Sequence, residues 1–274
     1  LLFFAGIGYK ISAFPFHMWS PDVYQGAPIP VTAFFAIVPK MAGLAVLIRV
    51  SQVFFATPSP VSTVWIGLLH VVAALTMTVG NVSAIGQDSV KRLLAFSSIG
   101  HVGMMIMGVI VLDNVGVRAI LYYGMAYLFM TLVAFWITSV LNDTYGTDST
   151  SVFRGLIHRH PVMAIAMCIT LFSLAGMPPF SGFVAKFNIL SVVIEKKYYG
   201  LAFIAAINSV IGLYYYMKLI RDMVFAKAES TTEIAGFSFG AQALVVALAL
   251  PVVFMGIFWE GLMALSGGAK LLIQ

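Results

Sequence analysis

Residues 30–50 read PVTAFFAIVPKMAGLAVLIRV, an apolar run of membrane-crossing length with a lysine at its centre. A spanning helix needs about 20 such residues at 1.5 Å rise each. Lys40 stands about 15 Å from Pro30 and from Arg49 along that helix, close to the bilayer midplane. Its stem is too short to carry the ammonium group to either surface. A charge at the bilayer centre costs at least ~2.5–3.5 kcal/mol on insertion scales, so a lysine there marks function before structure. The competing reading is an inert lysine paired to a backbone carbonyl. Pro39 favours the functional one, because it frees a carbonyl and opens the helix beside the amine.

The rest of the chain has the same character. Of 274 residues, 61% are apolar and 9% charged, against about 25% charged in an ordinary soluble domain. A mean hydropathy of +1.01 points to lipid as the solvent for most of the surface. The net charge of +5 comes from basic residues scattered singly or in pairs between apolar runs, which excludes a nucleic-acid-binding patch. Eight spans are predicted, at 1–16, 30–50, 62–85, 92–112, 115–140, 161–194, 199–225 and 239–265. The connections are short and polar or proline-rich: 17–29, 56–60, 86–91, 142–160 and 227–236. The fold class expected is therefore all-α, a polytopic membrane helix bundle. The sixth span is broken by Gly176-Met177-Pro178-Pro179-Phe180-Ser181-Gly182. Irregular backbone survives at membrane depth only where protein or a water-filled cavity satisfies it.

Charge bias suggests an orientation. Lys91, Arg92, Arg154, Arg159, Lys218, Arg221 and Lys227 fall on one side, and Arg49, Arg118, Lys196, Lys197 and Lys270 on the other. The positive-inside tendency makes the first side cytoplasmic and puts the C-terminus outside. Lys10, Lys40 and Lys186 are left within the spans. The acidic residues Asp22, Asp88, Asp113, Asp143, Asp148, Glu195, Asp222, Glu229, Glu233 and Glu260 all fall in loops or near span ends. Lys10 precedes Pro15, and Lys186 follows Pro178-Pro179, so both lie beside helix breaks. Paired broken helices are the sequence mark of inverted-repeat transporters. The division expected is 1–60 for the last two helices of a first repeat, 61–226 for a second, and 227–274 for a C-terminal helix.

Two histidines, His70 and His101, also fall inside spans, where imidazole can relay protons between lysines. His17, His158 and His160 are expected at interfaces, solvated. Tyr122, Tyr123, Tyr214, Tyr215 and Tyr216 read as belt or packing residues, and Met104, Met105 and Met107 as adaptable packing. The single cysteine, Cys168, lies in an apolar run and excludes a disulfide framework and a four-cysteine cluster. HExxH, P-loop and GxGxxG patterns do not occur.

Three long runs, KISAFPFHMWSPDVYQGAPIPV at 10–31, KRLLAFSSIGHVG at 91–103 and SLAGMPP at 173–179, resemble the seventh-, tenth- and twelfth-helix motifs of the antiporter-like subunits of respiratory complex I. Within that family, Lys186 in place of a glutamate, and the short stretch after Trp259, set this chain apart from two of the member types. The resemblance implies that the eight spans are the seventh to fourteenth helices of a longer core. It makes Lys10 a seventh-helix proton carrier, Lys40 the central connecting lysine and Lys186 the twelfth-helix carrier, with His101 and His70 between them. The family's fifth-helix glutamate has no counterpart in the chain. That absence, with a start at Leu1 inside an apolar helix, leads to the expectation of a C-terminal fragment. The resemblance further implies a proton-pumping subunit of NADH-quinone oxidoreductase in the bacterial inner membrane, in contact with lipid and with other membrane subunits, neighbouring antiporter-like subunits included. NADH, FMN, iron–sulfur clusters and quinone are then expected elsewhere in the complex, with no cofactor or metal bound by this chain. The alternatives are a subunit of a multisubunit cation/proton antiporter, which shares these motifs, and a passive scaffold.

Overall fold

A computed structural model describes residues 2–55, 60–111, 113–227 and 237–266. Among these the regular structure is helical, apart from one isolated bridge between Ser89 and Ser149. Six helices are long and apolar enough to cross a membrane: α3 (Ile29–Phe55), α4 (Pro60–Ala84), α5 (Val90–Val111), α6 (Asn114–Tyr145), α10 (Tyr199–Phe225) and α11 (Phe239–Ile257). Of the other two predicted spans, the first holds only α1 (Leu2–Ile11), with α2 (Trp19–Gly26) in the connection after it, and the sixth is the pair α8 (Pro161–Ala175) and α9 (Ser181–Glu195). A four-residue α7 (Leu156–Arg159) precedes α8, and α12 (Trp259–Ser266) follows α11. The predicted acidic pattern holds for the described carboxylates, which lie in loops or terminal turns. Lys270, Glu229, Glu233 and most of the 227–236 connection lie outside the described residues.

The N-terminal region differs from the prediction in one respect. The first span was expected to run to residue 16 and to be followed by an open connection, but α1 stops at Ile11 and the connection contains α2. Ser12 adopts a left-handed φ of 60°, which ends α1. Helix α2 is then fixed from outside. Lys91 Nζ donates to the carbonyls of Gln25 (2.6 Å) and Ala27 (3.4 Å) at its C-terminal end. Arg92 donates to Asp22 Oδ1 (2.7 Å) and Gln25 Oε1 (3.0 Å). The last predicted span also breaks, at Phe258 between α11 and α12. The break in the sixth span falls where the sequence placed it. Gly176, at φ 86°, closes α8 in a left-handed cap and accepts no Cβ without strain.

Helix α5 is the centre of the bundle and is buried nearly throughout, on both its apolar and its polar residues. Glycines explain how it can be so enclosed. A Cβ on Gly103 would lie 2.6 Å from Met77 Cγ, and one on Gly100 would lie 2.9 Å from Asn81 Nδ2. Small residues let membrane helices approach until backbones touch. That approach brings the α5 polar side chains Ser97, Ser98 and His101 against α3, α6 and α10.

Candidate functional site

Lys40 is 1% exposed, the most enclosed cation among the described residues. Its Nζ donates to Ser98 Oγ at 2.5 Å and sits 5.4 Å above the Tyr24 ring. Ser98 in turn donates to Ala95 O at 2.7 Å. The amine is thus bound to a neutral hydroxyl and faces an aromatic ring, with no carboxylate in contact among the described residues. One turn further along α5, on the same face, stands His101. Its Nδ1 lies 2.7 Å from Tyr123 OH and its Nε2 lies 3.3 Å from Tyr216 OH. Tyr127 packs its ring against the imidazole, with centroids 5.2 Å apart.

This arrangement has a specific chemical property. A neutral imidazole has one donor and one acceptor nitrogen, and a phenol can serve as either partner. Both tautomers of His101 therefore keep both hydrogen bonds, so a proton can enter at one nitrogen and leave at the other. Tyr216 OH also bonds Ser97 Oγ. The adjacent Tyr215 donates to Asn81 Oδ1 at 2.9 Å, and Asn81 Nδ2 reaches Asn208 Oδ1 at 3.3 Å.

Lys186 faces the other side of the same line. It borders a narrow cavity with His101, Asn81, Asn208, Tyr215 and Tyr216, sized for about one water molecule. Its Nζ donates to Ala175 O at 2.9 Å, a carbonyl that the end of α8 leaves without a helical partner. Gly176 makes room for the lysine stem, since a Cβ there would lie 2.7 Å from Lys186 Cδ. Across the break, Gly182 N donates to Ser173 Oγ at 2.9 Å. The break thus holds an amine at a free carbonyl, and Ser173 satisfies the Gly182 N–H across it.

The structure therefore brings Lys40, His101 and Lys186 together and leaves two predicted residues apart. Lys10 ends α1 on an exposed face, where it borders a shallow cleft with Leu2, Phe3, Gly6 and Ile7. Its stem passes beside Gly43 of α3, with Lys10 Cγ 3.7 Å from the position a Cβ would take. His70 is half-buried, bonded to Ile66 O at 2.8 Å and set edge-on to Tyr198 at 4.5 Å. It lies eleven residues before Asn81 on α4, about 16 Å from the cavity. Of the histidines expected to be solvated, His158 is exposed and His160 half-buried, but His17 is buried. Burial and the neighbouring Arg159 guanidinium lower the His160 pKa below the ordinary imidazole value.

The tyrosines are the main correction. Tyr123, Tyr215 and Tyr216 are all nearly inaccessible and hydrogen-bonded within the line, and Tyr122 is buried with its hydroxyl on Met255 O at 2.7 Å. Among the five, Tyr214 is exposed, as a belt residue would be. The signal available in the sequence was the run Tyr214-Tyr215-Tyr216 in mid-span, which puts at least one phenol on the buried face of any helix.

Fold and site together define a class: a multi-pass helical membrane protein with broken helices and a buried line of amines, imidazole and phenols. The chain belongs to the NADH:quinone oxidoreductase/Mrp antiporter transmembrane family, whose model matches residues 1–212. It is 45% identical over 268 residues to NADH-quinone oxidoreductase subunit N 2 of Sorangium cellulosum, covering 93% of this chain and 52% of that one. Among solved structures it resembles a chain of respiratory complex I from Thermus thermophilus with a TM-score of 0.82 at 32% identity, covering 96% of this chain and 57% of the other. A chain of an Mrp complex from a Dietzia species shares the fold, with a TM-score of 0.87 at 22% identity, covering 98% of this chain and 58% of the other. The chain spans about half the length of the curated relatives it matches.

Proposed function

We propose that this chain forms part of a proton-translocating membrane subunit of an NADH-quinone oxidoreductase, and that Lys40, His101 and Lys186 transfer the protons. The observation that carries the proposal is the buried sequence of titratable groups from Lys40 through Ser98, His101 and Tyr216 to the Lys186 cavity. In lipid, such groups are costly to insert and are retained for transfer of charge. The relatives named subunit N, at up to 45% identity, favour the oxidoreductase over the cation/proton antiporter, for which the Mrp likeness supports the fold alone.

In this reading Lys10 is the input station. A carboxylate outside this segment pairs with it, and loss of that pairing sends a proton to Lys40. The proton crosses His101 and leaves through Lys186 to the outer side of a bacterial inner membrane. His70 belongs to the relay only through groups that the described residues do not place between it and Lys40. NADH, FMN, iron–sulfur clusters and quinone act elsewhere in the complex, which surrounds this chain with other membrane subunits. The division at residues 60 and 226 corresponds to two inverted repeats, supported by the lysine-bearing breaks α1/α2 and α8/α9. The test is reconstituted whole complex carrying Lys40→Ala or Lys186→Ala. Each variant is expected to lose proton pumping at least 10-fold with assembly intact on native gels; full pumping in both ends the proposal. A scaffold role predicts loss only where assembly fails.

A further inference from the structure

The two phenols that hold His101, taken alone, accept either tautomer of its ring. Their own partners remove that freedom, and the constraint begins at a buried pair of amides, Asn81 of α4 and Asn208 of α10. Each is oriented by a carbonyl one turn earlier on its own helix. Asn81 Nδ2 donates to Met77 O at 2.9 Å, and Asn208 Nδ2 donates to Ile204 O at 2.9 Å. A carbonyl can only accept, so these bonds fix which end of each amide is nitrogen. The remaining bonds then have one direction. Asn81 Nδ2 donates to Asn208 Oδ1 at 3.3 Å, Asn208 Nδ2 donates to Thr78 Oγ1 at 3.1 Å, and Thr78 gives its proton to Ala74 O at 2.8 Å. Asn81 Oδ1 is left as an acceptor, and it takes the proton of Tyr215 OH at 2.9 Å. The fit around this amide is close: a Cβ on Gly100 would lie 2.9 Å from its nitrogen, and one on Gly212 would lie 3.4 Å from its oxygen.

Tyr215 has given its one proton to Asn81, so its oxygen only accepts. Tyr216 and Ser97 both reach it, and either donor leads to the same result. Where Tyr216 gives its proton to Tyr215, Ser97 donates to Tyr216; where Ser97 gives its proton to Tyr215, Tyr216 donates to Ser97. In each case the Tyr216 oxygen turns a lone pair to His101 Nε2, which then carries the hydrogen. The opposite side of the ring agrees. Among the described residues the Tyr123 hydroxyl is bonded to His101 Nδ1, and a buried O–H left undonated is costly, so it gives its hydrogen to that nitrogen. We propose that Asn81 and Asn208 are positioning residues that hold His101 in the Nε2–H tautomer, so that it takes a proton at Nδ1 and releases one from Nε2. This rests on the proton-transfer reading above for its purpose, while the tautomer stands on the hydrogen bonds. The two nitrogens face different stations. Tyr123 is one turn from Tyr127, which reaches Ser98, the partner of Lys40; Tyr216 borders the Lys186 cavity. A proton bound at Nδ1 makes the imidazolium, and loss of the Nε2 hydrogen toward the cavity leaves the Nδ1–H form. The amides make that form the less stable one, which favours return to the starting tautomer.

The test is solid-state nitrogen NMR of the whole complex, isotope-labelled at histidine, with the His101 signals assigned by their absence from a His101→Gln sample. The hydrogen-bearing and bare nitrogens of imidazole differ widely in chemical shift, so the tautomer is read directly. The wild type is expected to hold Nε2–H as the main form, and a main Nδ1–H form overturns the proposal. Asn81→Ala frees the Tyr215 hydroxyl, and Tyr215→Phe removes the oxygen that accepts from Tyr216 or Ser97. Each is expected to raise the Nδ1–H share about 5-fold, the size of one hydrogen bond in an equilibrium. Asn81→Asp keeps an oxygen facing Tyr215 and is expected to hold the wild-type tautomer, a rescue that a merely structural amide does not give. An unchanged tautomer in both Asn81→Ala and Tyr215→Phe also overturns the proposal; where one fails to assemble, the other and the wild type decide. Full pumping in Lys40→Ala removes the relay and leaves the tautomer standing. A wild-type Nδ1–H form beside lost pumping in Lys40→Ala removes the tautomer and leaves the relay.

Discussion

The two broken helix pairs place a lysine beside a gap in the backbone, yet they are finished in opposite ways. At the α8/α9 break the chain supplies its own partners. Lys186 takes Ala175 O, Gly182 N takes Ser173 Oγ, and Gly256 of α11 lies so close that a Cβ there would collide with Pro179 O. At the α1/α2 break, Phe14 N donates to Thr76 Oγ1 at 3.0 Å and Trp19 Nε1 to Tyr9 O at 2.9 Å. Lys10 there is exposed, and Ser12 Oγ and His17 Nδ1 are buried without a hydrogen-bond partner among the described residues. The same local device, a break that frees polar groups, is thus closed within the described residues in one case and leaves its lysine exposed on them in the other.

That contrast can be broken or sharpened by substitution. The largest effect is expected from Gly182→Val. Its Cβ would collide with the carbonyl carbon and oxygen of Ser173, and neither backbone atom can yield, so we expect about 3 kcal/mol or more of destabilisation. Loss of assembled subunit on native gels reads it; normal assembly would show that the second break is less tightly closed than described. Ser173→Ala comes next, because it leaves the buried Gly182 N–H without an acceptor at a cost of about 1–3 kcal/mol. A lowered thermal midpoint of the purified complex would report it.

Tyr216→Phe keeps the packing and removes the hydroxyl between His101 and Ser97. Pumping is expected to fall roughly 10-fold, less than the ~10²–10⁴-fold typical of a lost general acid or base, while assembly stays normal; unchanged pumping would exclude the phenol from the relay. At the open break, Gly6→Ala meets nothing within 4 Å and should shift stability by no more than about 1 kcal/mol. The smallest effect is expected from Asp22→Asn. It weakens an ion pair to Arg92 whose carboxylate is 76% exposed, a contact of the kind that contributes about 0.2–1 kcal/mol and fades in salt. A shift in thermal midpoint larger than that of Ser173→Ala would show that α2 is held mainly by this pair.

The lysines were legible because membrane sequences make them so. Against a background of Val, Ile, Leu and Phe, a single amine at mid-span stands out by transfer free energy alone, and Pro178-Pro179 marks its break without any tertiary information. His101 was legible for the same reason. The phenols were not. Tyrosine is at home at the interface, in packing and in a hydrogen-bonded line, so its burial at 123, 215 and 216 and its exposure at 214 depend on which neighbour each face meets. The orphaned hydroxyl of Ser12 was hidden likewise, because a serine in a turn normally bonds its own backbone.

What the sequence alone determined, then, is the apolar character, the main helices and the break at 176–182, the buried amines Lys40 and Lys186, and the family. These follow from hydropathy, from proline and glycine, and from motifs that are local in the chain. What only the tertiary structure decided is which of the polar side chains share an interior. Ser98 and Lys40 are 58 residues apart, and His101 and Tyr216 are 115 apart. Contacts of that range are set by how closely α5 packs against its neighbours, and that closeness is written in the glycines, whose effect appears only when two helices meet.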